Sequence, residues 1–291
     1  MRRALLIFGL IVLGIAALFW SGADAAVARW AASWQREFQN GLAGALRALR
    51  AKDPGAFAAL MGLAFAYGVV HAAGPGHGKL LIGGYGLSAR VPALRLSLVA
   101  MAASLGQAVT AIVLVYGGML VLGYTRAQLT GLAEGAMNAA SAIAIGLIGL
   151  WLLLRGARKL RGQIAHAGHE GDCGCGHAHA PSAEELARAQ GLRATLSLIG
   201  AVAIRPCTGA LLLLVLTWQM GIPAAGIAGA LAMALGVGAV TVAVAIIASV
   251  AREGALGSLK GAGALVRVMP VMEITAGAAI ALISLRMLGW A

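Results

Sequence analysis

Two histidines six positions apart, His71 and His77, flank Gly74-Pro75-Gly76, and Lys79 follows close behind. Imidazole is the commonest protein ligand for a transition-metal ion. On an unbroken helix a spacing of six turns through ~240°, so the two rings would face apart. Gly-Pro-Gly breaks the helix between them and lets both rings, and the backbone carbonyls it frees, converge on one ion. A second interruption, Arg205-Pro206-Cys207-Thr208, brings a thiol into another apolar stretch. Imidazole and thiolate suit nickel, cobalt, zinc and copper, whereas magnesium and calcium want carboxylate oxygens. Taken singly, a helix-end histidine is an ordinary hydrogen-bonded residue, and a buried cysteine is often only a small hydrophobe. Two histidines around a break, with a cysteine at a second break, point to a cation site.

The neighbouring charges have two readings each. Lys79 is either a topology signal or a charge that repels cations until the pathway opens. Arg205 lies within an apolar span, where ionisable groups are functional by default. Its candidate partner is Glu273, the clearest acid inside such a span. Glu273 is read as a proton carrier or, alternatively, as a first-turn residue capping a helix that begins after Pro270. A polar tract gathers His166, His169, Cys173, Cys175, His177 and His179 with Glu170 and Asp172 among glycines. Such a tract specifies no fixed geometry, but it collects metal.

These residues need elements to hold them, and composition says what kind. The chain of 291 residues is 60% hydrophobic and 11% charged, where soluble domains carry about 25% charged residues. That excludes a water-soluble globule and makes the chain an all-α polytopic membrane protein. The apolar segments fall near 4–20, 55–74, 97–122, 135–154, 195–219, 224–250 and 268–288. Each approaches the ~20 residues that cross the hydrocarbon of a bilayer. The basic residues cluster in alternate loops: Arg2 and Arg3; Lys79, Arg90 and Arg95; Arg155 to Arg193; and Arg252 to Arg267. By the positive-inside rule those loops are cytoplasmic. The net charge of +12 therefore reports topology and not nucleic-acid binding. The first segment is a membrane anchor or a signal peptide, since Ala23-Asp24-Ala25 resembles a cleavage site.

Residues 27–53 carry Arg29, Arg36, Arg47 and Arg50 on the outer side, against the rule. At 100° per residue Trp30, Trp34, Phe38, Leu42, Leu46 and Leu49 share one arc and the arginines the opposite one. This predicts an amphipathic helix lying on lipid at the outer interface, or docking a periplasmic partner protein. Ser104, Gln107, Thr110, Asn138 and Ser141 are polar positions within spans that line a pathway or bond between helices. The organisation expected is 1–22 anchor or signal, 23–54 interfacial segment, 55–155 first membrane half, 156–194 cytoplasmic loop with a short helix over 181–193, and 195–291 second half.

The two halves echo one another. Pro75, Gly78, Leu80 and Leu81 return as Pro206, Gly209, Leu211 and Leu212, a shift of 131 (206 − 75). Pro92, Thr110, Gly146 and Arg155 return as Pro223, Thr241, Gly277 and Arg286 in the same register. Three crossings separate the copies, so the expectation is a 3+3 inverted repeat with broken helices in matching positions and substrate at their interface. The breaks at Gly74–Gly78 and Arg205–Gly209 should then face each other, with His71, His77 and Cys207 in one neighbourhood.

At His71-Ala-Ala-Gly-Pro-Gly-His77-Gly-Lys79, Arg205-Pro-Cys207-Thr-Gly-Ala and Gly236-Val-Gly238-Ala-Val-Thr241 the chain resembles the NicO-type nickel/cobalt transporter family, with its RcnA-like efflux proteins. The likeness covers roughly residues 55–290 and includes the histidine-rich loop; Ala239 and Val240 depart from the family's usual Gly-x-Gly-Thr-Ala. The resemblance implies multi-pass transport of divalent nickel or cobalt in the bacterial inner membrane, most often outward. Relatives with a similar outer amphipathic segment resemble zinc uptake systems that work with a periplasmic protein, so nickel or zinc uptake is the alternative. A membrane metal sensor without flux is a third reading. A thiol–disulfide carrier is excluded because the repeat mate of Cys207 is Gly76 (207 − 131). The chain is read as no enzyme and as holding no permanent cofactor, with lipid and the transported metal as its partners. No Gly-x-x-x-x-Gly-Lys-[Ser/Thr] phosphate loop occurs, which leaves the proton gradient as the expected energy source.

Overall fold

The computed structural model describes residues 23–73, 77–88, 91–166, 193, 195–257 and 262–289. The segment 4–20, the Gly74-Pro75-Gly76 break, the residues His169 to His179 and the expected helix over 181–193 fall outside them, Arg193 excepted. Every regular element among the described residues is helical. An alanine-rich amphipathic sequence forms α1 (Ala23–Arg50). It ends where Asp53 N–H donates to Ala48 O at 3.0 Å and Lys52 turns to φ 62°. This is a Schellman-type stop with lysine where glycine is usual. Next come α2 (Ala56–Ala73) and α3 (His77–Ser88). Next, α4 (Ala93–Ile112) runs through a π-helical turn, Val113–Gly117, into Gly118–Leu120. After a short loop, α5 starts at Arg126–Leu132, passes a second π turn, Ala133–Met137, and continues as Asn138–His166. Thr125 caps its start: Gln128 N–H donates to Thr125 Oγ1 at 3.4 Å and Thr125 N–H to Gln128 Oε1 at 2.8 Å.

An interrupted pair follows, α6 (Thr195–Ala203) and α7 (Thr208–Gln219), bent by 56°. Two long helices complete the fold, α8 (Pro223–Gly257) and α9 (Ala262–Met287). Among the described residues five helices are long and apolar enough to cross a membrane, and the bent α6–α7 pair makes six. The chain is a multi-pass membrane protein.

Two boundaries differ from the sequence reading. Helix α5 does not stop at 155 but carries Arg155, Arg158, Lys159 and Arg161 on to His166. Arginine and lysine are good helix formers, and cations are favoured at a helix C-terminus. Nor does Pro270 begin a helix. It lies inside α9, so Glu273 is an interior residue and not a first-turn cap.

Glycines set the closest crossings. A Cβ on Gly68 of α2 would strike Met233 O of α8, and one on Gly236 would strike Phe65 O. Likewise Gly149 of α5 lies over Gly277 O of α9, at 2.9 Å from a would-be Cβ. Membrane helices approach most closely through such small residues. Around these crossings the buried apolar side chains form two separate cores. One joins Leu42 and Leu46 of α1, Leu60 and Tyr67 of α2, Leu129, and most of α7. The other joins Leu81, Ile82 and Tyr85 of α3 with Leu96, Leu152, Leu198, Val202 and Ile280. Helices α2 and α7 therefore contribute to the first core, and α3 and α6 to the second.

Candidate functional site

The chemistry gathers where α6 gives way to α7. Pro206 has no N–H to offer Val202 O, and the bend removes the donor for Ala201 O. Both carbonyls are taken by side chains from other helices. Ser141 Oγ donates to Ala201 O at 2.7 Å, and Gln107 Nε2 donates to Val202 O at 3.2 Å. These two polar residues serve as interhelical bonds that hold the break open. Beyond it Cys207 stands at the N-cap of α7, φ −69° and ψ 128°. Its sulfur is close to the backbone N–H groups of Gly209 and Ala210.

Facing this cap is one side of α2. Tyr67 and His71 are four residues apart and so share a face. Their rings stack at 5.9 Å between centroids and 10° between planes. His71 and Cys207 lie within hydrogen-bonding reach of each other. The Tyr67 hydroxyl lies near Cys207 and Thr208 and accepts from Gln39 Nε2 of α1 at 3.4 Å. Gly209 makes the approach possible, because a Cβ there would run into the Tyr67 ring. The result is an imidazole and a thiol side by side at a broken helix, walled by a buried tyrosine. Among the described residues no three His, Cys, Asp or Glu side chains cluster as a complete metal cage. His77 and Lys79 lie in the first turn of α3. Their side chains and that of His166 lie outside the described residues, as do Gly74, Pro75, Gly76, His169, Cys173, Cys175, His177 and His179.

The expected pairing of Arg205 with Glu273 is not found. Arg205 interacts with Cys207 and Glu134 instead. Glu273 lies at the crossing of α5 and α9, where Lys159 Nζ donates to its Oε1 at 2.6 Å and Arg155 approaches to 3.5 Å. Its side chain is 1% exposed, and α5 passes close over it at Gly156. The extension of α5 beyond 155 is what carries Lys159 to this carboxylate. Tyr67 is the site residue that no motif singles out, although its i, i+4 spacing from His71 is a usable signal.

The fold defines a class, helical multi-pass membrane proteins, and the site sets an imidazole beside a thiol at a broken helix. The chain belongs to the NicO family, "High-affinity nickel-transport protein", whose family model matches residues 57–173. It is 30% identical over 246 residues to a Haemophilus influenzae protein named "Putative nickel/cobalt efflux system", covering 77% of this chain and 76% of that one. No solved structure matches the chain. Its family is one of nickel/cobalt transporters.

Proposed function

We propose that this chain exports nickel or cobalt from the cytoplasm across the bacterial inner membrane. The observation that carries this is the contact of His71 with Cys207 at the α6–α7 break. In this reading the two membrane halves form a 3+3 inverted repeat, and metal binds where their broken helices meet. The tract with His166, His169, Cys173, Cys175, His177 and His179 gathers metal on the cytoplasmic side. His77 and His71 then take it over, Cys207 adds a thiolate, and Tyr67 keeps the imidazole of His71 in place by stacking. Lys79, two residues after His77, discourages entry of unbound cations. Outward direction is supported by the name of the Haemophilus relative and by the placement of the collecting tract in the most basic loop. Glu273, ion-paired with Lys159, is the candidate carrier of a coupling proton. Helix α1 keeps Trp30 and Trp34 exposed at 52% and 42%, as suits anchorage to lipid at the outer interface.

The deciding measurement is whole-cell metal content by mass spectrometry, with nickel, cobalt and zinc supplied in turn. Cells expressing the intact chain should hold less nickel or cobalt, and His71→Ala should restore the control level. Higher nickel or zinc with the intact chain would reverse the direction and favour uptake with a periplasmic partner docked on α1. Unchanged content for all three metals would sink the transport reading in favour of a sensor.

A further inference from the structure

Beside the α6–α7 break lies a cavity of about 190 Å³ that no motif in the sequence announces. Its polar lining is Gln39, Arg126, Thr130, Glu134 and Thr208. Thr208 directly follows Cys207, so the cavity begins where the soft donors end. Arg126, Thr130 and Glu134 are spaced by four along α5, and Asn138 and Ser141 continue the row inward. Four residues of α-helix overshoot a full turn slightly, while a π turn holds more residues per turn. The π turn at Ala133–Met137 thus brings the row back onto one face. Ser141, at its inner end, bonds the freed carbonyl of Ala201 at the break. On the helix between Glu134 and Ser141, Asn138 Oδ1 is buried and accepts no hydrogen bond. A buried acceptor without a donor costs ~1–3 kcal/mol, and a cation is a natural occupant for it.

We infer that Glu134 and Asn138 Oδ1 form a second, oxygen-donor station for the transported divalent cation, which receives it from His71 and Cys207 through the cavity. The inference rests on the transport reading above and names a further binding site for the same cargo. Carboxylate and amide oxygens hold nickel and cobalt less tightly than imidazole and thiolate do. A step from nitrogen and sulfur to oxygen donors lets the ion leave, since conduction needs sites weak enough to release. Arg126 lines the same cavity and Arg205 interacts with Glu134. These cations compete for the carboxylate and shorten the stay of the metal.

The test uses the purified full chain in liposomes that enclose a nickel-sensitive dye. Glu134→Gln should slow nickel flux by the ~10-fold that loss of a supporting metal-site group typically costs. Asn138→Asp placed in that variant should recover flux, because it returns a carboxylate one turn further along the same face. Asn138→Ala alone should also slow flux, which guards against a fault peculiar to position 134. Glu134→Gln at the intact rate, or slow flux with no recovery from Asn138→Asp, would overturn the relay and leave transport standing. No flux through the intact chain would overturn the transport reading itself, and the relay with it.

Discussion

His71 acquires its surroundings from a residue one helical turn away and another 136 positions on (207 − 71). Tyr67 stacks on its ring, and Cys207 comes to it because Gly209 lets α7 press against the tyrosine. Stacking orients the imidazole, and the thiol sets the preference for soft and borderline ions. Cobalt reports this directly, since a thiolate bound to cobalt adds a near-ultraviolet charge-transfer absorption. Cobalt-loaded protein should lose the part of that absorption due to this site in Cys207→Ser, with the cysteines of the polar tract left intact. Tyr67→Phe, which keeps the ring and removes only the hydroxyl, should retain it. An unchanged spectrum in Cys207→Ser would remove the sulfur from the site.

The broken helix is the element that makes the site, and it stands because its lost hydrogen bonds are replaced. Ser141 and Gln107 take the carbonyls of Ala201 and Val202, which have no water to turn to at membrane depth. Ser141→Ala should therefore lower stability by ~1–3 kcal/mol, the cost of an unsatisfied buried polar group, read as a lower denaturant midpoint in detergent. A midpoint equal to the intact chain would mean that the break is held by packing alone. The pair of Glu273 and Lys159 does related work at the other crossing, where it joins α5 to α9. Its value lies in matching a buried charge and not in adding net stability.

At the scale of the whole molecule, the described residues form two buried cores, with α6 in one and α7 in the other across their bend. Such a division suits alternate opening to either side, because each part is a packed body and the irregular backbone lies between them. The charge pattern orients the bundle, and labelling with a membrane-impermeant thiol reagent checks it. With the native cysteines replaced, Ala127→Cys should react in intact cells and Arg161→Cys only after permeabilisation. The opposite pattern would invert the molecule and, with it, the side on which metal is collected.

The features legible in the amino-acid order are local or additive. Of the seven apolar segments that hydropathy locates, the six within the described residues coincide with helices, since a span needs only a sufficient run of apolar residues. Pro206 announces its break because proline lacks the N–H that any helix at that point requires. The pairings are not legible, because they depend on which faces pack. Glu273 meets Lys159 across 114 positions, and Gln107 meets Val202 across 95. No spacing rule reaches that far, which is why Arg205, the cation that composition suggests for Glu273, is the wrong partner. Which donors share a site follows from tertiary packing, through glycine crossings that fix how deeply each helix sits against the next.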